Sequence, residues 1–176
     1  MKKSKVKTIF DFLFLPNMLF DELKYRFMSA ALQEAEEALE QDEVPIGAVV
    51  VFEDKIIGRG YNQVEKLKDA TAHAEMIAIT AAENHLGDWR LTDCDIYITV
   101  EPCLMCTGAI LSSRIKRIYF SVFDPKFGAC GSVYNVAQEG KVNHKVEVFS
   151  GILEQESILL LQEFFKKKRT RDSKLK

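Results

Sequence analysis

Two short patterns in this chain carry groups that bind metals and move protons: His73-Ala74-Glu75, and further on Pro102-Cys103-Leu104-Met105-Cys106. Two cysteines three apart on a helix are offset by about 60°, because each residue turns about 100°. Both sulfurs can therefore face one ion. Pro102 suits a first helical position, where no amide hydrogen is needed. A helix start also presents unpaired N–H groups, whose partial positive charge favours thiolate, the form that binds zinc. His73-Ala74-Glu75 opens a second helix. In mid-helix His73 and Glu75 would diverge by about 200°, but in a first turn, pointing off the helix end, they converge more easily.

One imidazole and two thiolates make three ligands, His73, Cys103 and Cys106. Structural zinc is usually closed by four protein ligands, whereas catalytic zinc keeps a fourth tetrahedral position for water. Zinc lowers the pKa of such a water to about 7. Glu75 suits proton shuttling better than ligation, since a carboxylate beside the water can accept its proton and redeliver it. Alone, the Cys-x-x-Cys pair reads equally as a redox dithiol, and His-x-Glu recurs by chance. Together, each opening a helix, they point to one metal site. Cys94 and Cys130 read as spare small hydrophobes. Neither His85 nor His144 is expected as a fourth ligand, His85 lying about three turns along its helix from His73.

The elements that position these groups alternate in type. Phe20 to Leu39 reads as a helix, with Phe20, Leu23, Phe27, Ala31 and Leu32 at helical spacing. Ile46 to Phe52 and Lys55 to Gly60 flank Glu53-Asp54 as a hairpin. Ala72 to His85 is helical, stopped by Gly87. Asp95 to Val100 is a strand running into Glu101-Pro102 and a helix from Cys103 to about Leu111. Lys116 to Val122 and Lys145 to Phe149 are two more strands. Between them, Phe123 to His144 is loop-like with room for one short helix, and a last helix covers Glu154 to Lys168. This order predicts one α/β domain with helices on both faces of a mixed sheet.

With 176 residues, 47% hydrophobic and 28% charged, the chain has the size and composition of a single globular domain. Four cysteines are too few for a disulfide scaffold and suit metal binding in a reducing compartment. The net charge of −2 conceals an asymmetry. Residues 166–176 carry seven basic side chains and one acid, while residues 18–165 hold 13 basic and 24 acidic residues. A cationic tail on an acidic body reads as a polyanion contact or as a solvated terminus. No apolar run is long enough to span a membrane. Lys2 to Lys7 followed by Ile9 to Leu15 faintly resembles a secretory signal, but Asp11 interrupts it and no small-residue cleavage site follows. Residues 1–17 read as an N-terminal extension, flexible or preceding a start at Met18. The domain is then 18–168 and the basic tail 169–176.

The His-x-Glu and Pro-Cys-x-x-Cys signature resembles that of the cytidine deaminase-like superfamily. Within it, Leu23 to Arg169 is similar to the bacterial tRNA-specific adenosine deaminases. The stretches that carry the likeness are Glu43-Val44-Pro45-Ile46-Gly47-Ala48, Gly60-Tyr61-Asn62, Thr71-Ala72-His73-Ala74-Glu75, Glu101-Pro102-Cys103 with Met105-Cys106, and Ser113-Arg114-Ile115. The most discriminating are Gly128-Ala129-Cys130-Gly131-Ser132, Asn143-His144-Lys145-Val146, Gly151-Ile152-Leu153 and Phe164-Phe165, a set that small-molecule deaminases generally lack.

The resemblance implies a three-layer α/β/α fold around a mixed five-stranded sheet, and one Zn2+ per subunit with no organic cofactor. It implies hydrolytic deamination of adenosine to inosine at the wobble position of a tRNA anticodon, with Glu75 passing a proton to N1 and then to departing ammonia. It also implies that the Ala74 amide and Asn62 hold the flipped base, Asn62 alternatively being a plain turn residue. Asp124 and Lys126 fall in an RNA-contacting loop, where Pro125-Lys126-Phe127 is bulkier and stiffer than in many relatives. Phe164, Phe165 and the basic tail match a C-terminal RNA-contacting helix, with packing of the last helix as the plainer role for either ring. The anticodon stem-loop is the implied partner, the assembly a homodimer, and the compartment the cytoplasm. Two other readings stay open: a deaminase of a free base or nucleotide (guanine, cytosine or deoxycytidylate), and a non-catalytic zinc module that binds RNA.

Overall fold

The computed structural model describes residues 7–140 and 142–174. A long first helix, α1 (Lys7–Glu40), leads into the hairpin β1 (Gly47–Phe52) and β2 (Lys55–Tyr61), which turns at Glu53 and Asp54, both at positive φ. A single turn, α2 (Val64–Leu67), precedes α3 (Ala74–Leu86), which ends at Gly87 in the left-handed conformation. Then come β3 (Asp95–Val100), α4 (Leu104–Ser112), β4 (Arg117–Val122), β5 (Glu147–Ser150) and α5 (Glu154–Lys174). The five strands form one sheet in the order β2-β1-β3-β4-β5. β1 is antiparallel to β2 and β3, while β3, β4 and β5 run parallel, so the sheet is mixed as expected.

Alternate side chains on a strand point to opposite faces, and here that alternation builds two cores. Ala48, Val50, Ile96, Ile98, Ile118 and Phe120 pack with Ala78, Ile79 and Ala82 of α3 and Ile110 and Leu111 of α4. Val49, Val51, Tyr97 and Tyr119 meet Phe27, Met28 and Ala31 of α1 on the other face. There Tyr97 stacks on Tyr119 at 4.5 Å between centroids, and Tyr119 on Phe149 at 4.9 Å. α5 lies beside α1 on β4, completing three layers.

Several boundaries differ from those read in the sequence. α1 starts at Lys7 rather than Phe20, and α5 continues to Lys174 rather than Lys168, so both expected domain edges fall inside helices. The turn α2 was not anticipated. Among the described residues between Phe123 and His144 there is no helix; isolated bridges join Cys103 to Gly128 and Cys130 to Asn135 instead. α4 opens at Leu104 with Cys103 as its N-cap, which leaves Pro102 outside the helix instead of at its first position.

Candidate active site

The parallel strands β3 and β4 end at the same edge of the sheet, and α3 and α4 both begin there. His73 caps α3 and Cys103 caps α4, each in extended conformation. An N-cap residue is only half inside its helix, so its side chain can swing off the helix end. Cys106, buried in the first turn of α4, supplies the second sulfur.

His73 Nδ1 stands 3.7 Å from Cys103 Sγ and 3.5 Å from Cys106 Sγ. Zinc bonds of about 2.3 Å to sulfur and about 2.0 Å to nitrogen, at tetrahedral angles, put nitrogen and sulfur about 3.5 Å apart. The observed spacings match that requirement. The three donors lie within 4.8 Å of one another, and no other group of three such residues does so among the described residues. His85 sits in the last turn of α3 and His144 donates Nε2–H to the Ile115 carbonyl at 2.6 Å, so neither joins the group. Cys94 and Cys130 are buried thiols, pushed up by burial to about 11 and about 12 respectively, and behave as small hydrophobes.

Glu75 is 4% exposed, and burial pushes its carboxyl up to about 7. Its near neighbours are the His73 ring and the Cys106 sulfur. Between the two cysteines, the Cys106 thiol donates to Cys103, which with His73 holds Cys103 down to about 4. The same hydrogen bond, with burial, pushes Cys106 up, and bonding to Cys103 raises His73.

Ala74 is the first residue of α3, so its N–H has no acceptor within its own helix. β2 approaches this turn closely: a Cβ on Gly60 would lie 2.4 Å from the Ala74 carbonyl oxygen. Asn62 follows two residues later and is buried, with Gln63 N–H bonded to the Ala72 carbonyl at 3.0 Å. Asn62 and His73 are therefore parts of one tied loop system. The Asn62 side-chain amide donates to Glu43 Oε2 at 3.1 Å, while Glu43 Oε1 accepts the Lys66 N–H at 2.7 Å. Glu43 is itself buried and fixes Asn62 in place. Sequence reasoning had Glu43 only as part of a motif; the available signal was an acid placed just ahead of a wholly apolar strand.

Glu101, 3% exposed, plays the same part across the site. Its Oε2 accepts the Asp124 N–H at 3.0 Å, and its Oε1 those of Cys130 and Ser132 at 2.9 and 3.1 Å. Ala129 N–H adds a bond to the Pro102 carbonyl at 2.9 Å. The loop from Asp124 to Ser132 is thereby laid against the Cys103 end of α4. Asp124 Oδ1 caps its own turn by accepting the Lys126 and Phe127 N–H groups at 2.9 and 3.3 Å, and Lys126 is exposed.

Phe164 and Phe165 part company. Phe164 is 4% exposed and packs the last helix, whereas Phe165 is 46% exposed, as neighbours on a helix turned about 100° apart must be when one faces inward. The basic end of α5 is anchored: Arg171 pairs with Asp42 through both guanidinium nitrogens, Nη2 lying 2.9 Å from Oδ1. That hydrogen bond leads the effects that hold the Asp42 carboxyl below its usual range, with Lys168 and Lys167 adding to it. Asp42 adjoins Glu43, so the cationic helix end lies near the loop that secures Asn62.

Residues 21–122 match the family described as the cytidine and deoxycytidylate deaminase zinc-binding region. The tRNA-specific adenosine deaminase of Bacillus subtilis is 45% identical over 86% of this chain and 92% of its own length. This chain belongs to the tRNA-specific adenosine deaminase family. The Aquifex aeolicus member is 47% identical over 83% of this chain and 96% of its own length. A structure solved in a study of A-to-I editing by tRNA:A34 deaminases is 45% identical, with a TM-score of 0.75 over 77% of this chain and 99% of that one. Family membership makes the chain a zinc-dependent hydrolytic deaminase with one zinc ion per subunit, and its three-layer fold is that of the family.

Proposed function

We propose that this chain hydrolyses adenosine to inosine at the wobble position of a tRNA anticodon, with His73, Cys103 and Cys106 as zinc ligands and Glu75 as the acid–base group. The observation that carries the chemistry is the open triad, one nitrogen and two sulfurs at tetrahedral spacing beside a buried carboxyl. The names of the relatives support the substrate. Zinc, when bound, activates a water molecule as the nucleophile at neutral pH.

Glu75 takes a proton from the water that attacks C6 and delivers it to N1 of the purine. A second proton passes by the same carboxyl to the departing amino group, so adenosine and water become inosine and ammonia. A carboxyl balanced near neutrality serves both transfers. The Ala74 N–H and the Asn62 side chain hold the flipped base. Asp124 and Lys126, together with Phe165 and the basic face of α5, meet the RNA around it. In this reading Phe164 supports the helix that presents Phe165. Residues 18–168 form the deaminase domain, 169–176 its basic tail, and 1–17 an extension. The assembly is a homodimer, and the compartment is the cytoplasm, which suits four free cysteines. No described helix is long and apolar enough to cross a membrane.

The test is inosine formation on an anticodon stem-loop, set against ammonia release from guanine, cytosine and deoxycytidylate. Inosine on the stem-loop is expected; exclusive activity on the free compounds would overturn the assignment.

A further inference from the structure

Phe127 is an aromatic ring for which the catalytic chemistry has no use. It is 67% exposed, more than any other large hydrophobic side chain in the described structure. A single exposed apolar side chain is ordinary on a protein surface; this one is set apart by the turn that bears it, which is pinned beside the Cys103 end of α4. Its support is rigid. The Phe127 N–H bonds Asp124 Oδ1, the Gly128 N–H bonds the Asp124 carbonyl at 3.0 Å, and Ser132 Oγ bonds that same carbonyl at 2.7 Å. The next residue, Gly128, is bridged to Cys103 and lies so close to Glu101 that a Cβ there would stand 2.2 Å from Oε2. Adding one Cα–Cα step to a bridged pair puts the Phe127 backbone within roughly 9 Å of the Cys103 backbone. Beside it on the same turn is Lys126, exposed.

We propose that Phe127 is a stacking platform for an unpaired nucleobase immediately next to the one being deaminated. This rests on the RNA-editing reading above. A target base drawn into the site leaves its neighbours unstacked, and an exposed ring on a pinned turn takes up such a base without sequence preference. Lys126 stands where it can meet the adjoining phosphate. Interface cores between protein chains are depleted of charge, and a turn bearing Asp124 and Lys126 around one ring is poorly suited to be one. RNA is therefore the occupant favoured over a second copy of this chain.

The experiment measures kinetics of the zinc-loaded enzyme on an anticodon stem-loop for wild type, Phe127→Leu and Phe127→Trp, and on stem-loops abasic at the nucleotide 5′ or 3′ to the target. Stacking on one base is worth roughly 5- to 150-fold in binding. Phe127→Leu should raise KM about tenfold or more with kcat nearly unchanged, and Phe127→Trp should restore it. On one of the two abasic substrates wild type and Phe127→Leu should become equal. Equal KM on the intact stem-loop, or a defect that persists on both abasic substrates, would overturn the platform. So would loss of self-association in Phe127→Leu by sedimentation. Failure of wild type to form inosine at all would overturn the RNA reading and the platform together, whereas the other results touch the platform alone.

Discussion

Replacing Glu101 by glutamine removes half of the acceptor that holds the loop from Asp124 to Ser132. The carboxylate takes three buried or half-buried N–H groups, two on Oε1 and one on Oε2. A glutamine turned to keep Cys130 and Ser132 must aim its NH2 at the Asp124 N–H. One bond to a charged acceptor, worth about 1.5–3 kcal/mol, is lost, and two others fall to the neutral value of about 1 kcal/mol. The total cost is roughly 2.5–7 kcal/mol. Urea unfolding of the zinc-loaded protein reads this as a clearly lower midpoint at unchanged slope. Amide exchange at Asp124, Cys130 and Ser132 should accelerate in the variant before exchange in β3 and β4 does. A midpoint shift worth less than about 0.5 kcal/mol, the size of an ordinary surface substitution, with those amides still protected, would refute the argument that this carboxylate secures the loop.

Other outcomes follow from the same geometry. Cys103→Ala should purify without stoichiometric zinc, measured by metal analysis, since two remaining ligands make a poor site. Gly60→Ala should lower the melting temperature and the activity together, because its Cβ would meet the Ala74 carbonyl at 2.4 Å and the Ala78 nitrogen at 2.7 Å, both backbone atoms. Deleting residues 166–176 should weaken stem-loop binding and flatten its dependence on salt, by about 0.7 in log–log slope for each phosphate that the shortened helix no longer neutralises. Unchanged binding across a salt series would remove RNA recognition from that segment.

Much of this was legible in the sequence because it depends on local periodicity. Ile46 to Phe52 and Asp95 to Val100 read as strands from their short apolar runs, and both form strands of the sheet. The metal-binding residues stood out because their types are chemically rare and each opens a helix. What escaped has no local signature. The stretch Arg169 to Lys174 lacks apolar spacing, yet it continues the helix, with Arg171 paired to Asp42. The loop after β4 is shaped by Glu101, more than twenty residues earlier in the chain. Glu43 reaches Asn62 across nineteen residues. Partnerships of that range are set by the fold and leave only a hint in the sequence, an acid where an apolar strand begins or ends. The split between Phe164 and Phe165, by contrast, follows from the turn of a helix and could have been drawn beforehand.

The most direct measurement of the central claim is inosine formation on an anticodon stem-loop by Glu75→Gln, with bound zinc quantified in the same sample. Glutamine keeps the size and burial of Glu75 but moves no protons, so full zinc occupancy with turnover reduced by at least 100-fold is expected. Near-normal turnover by the zinc-loaded variant would contradict the role given to that carboxyl and, with it, the proposed mechanism.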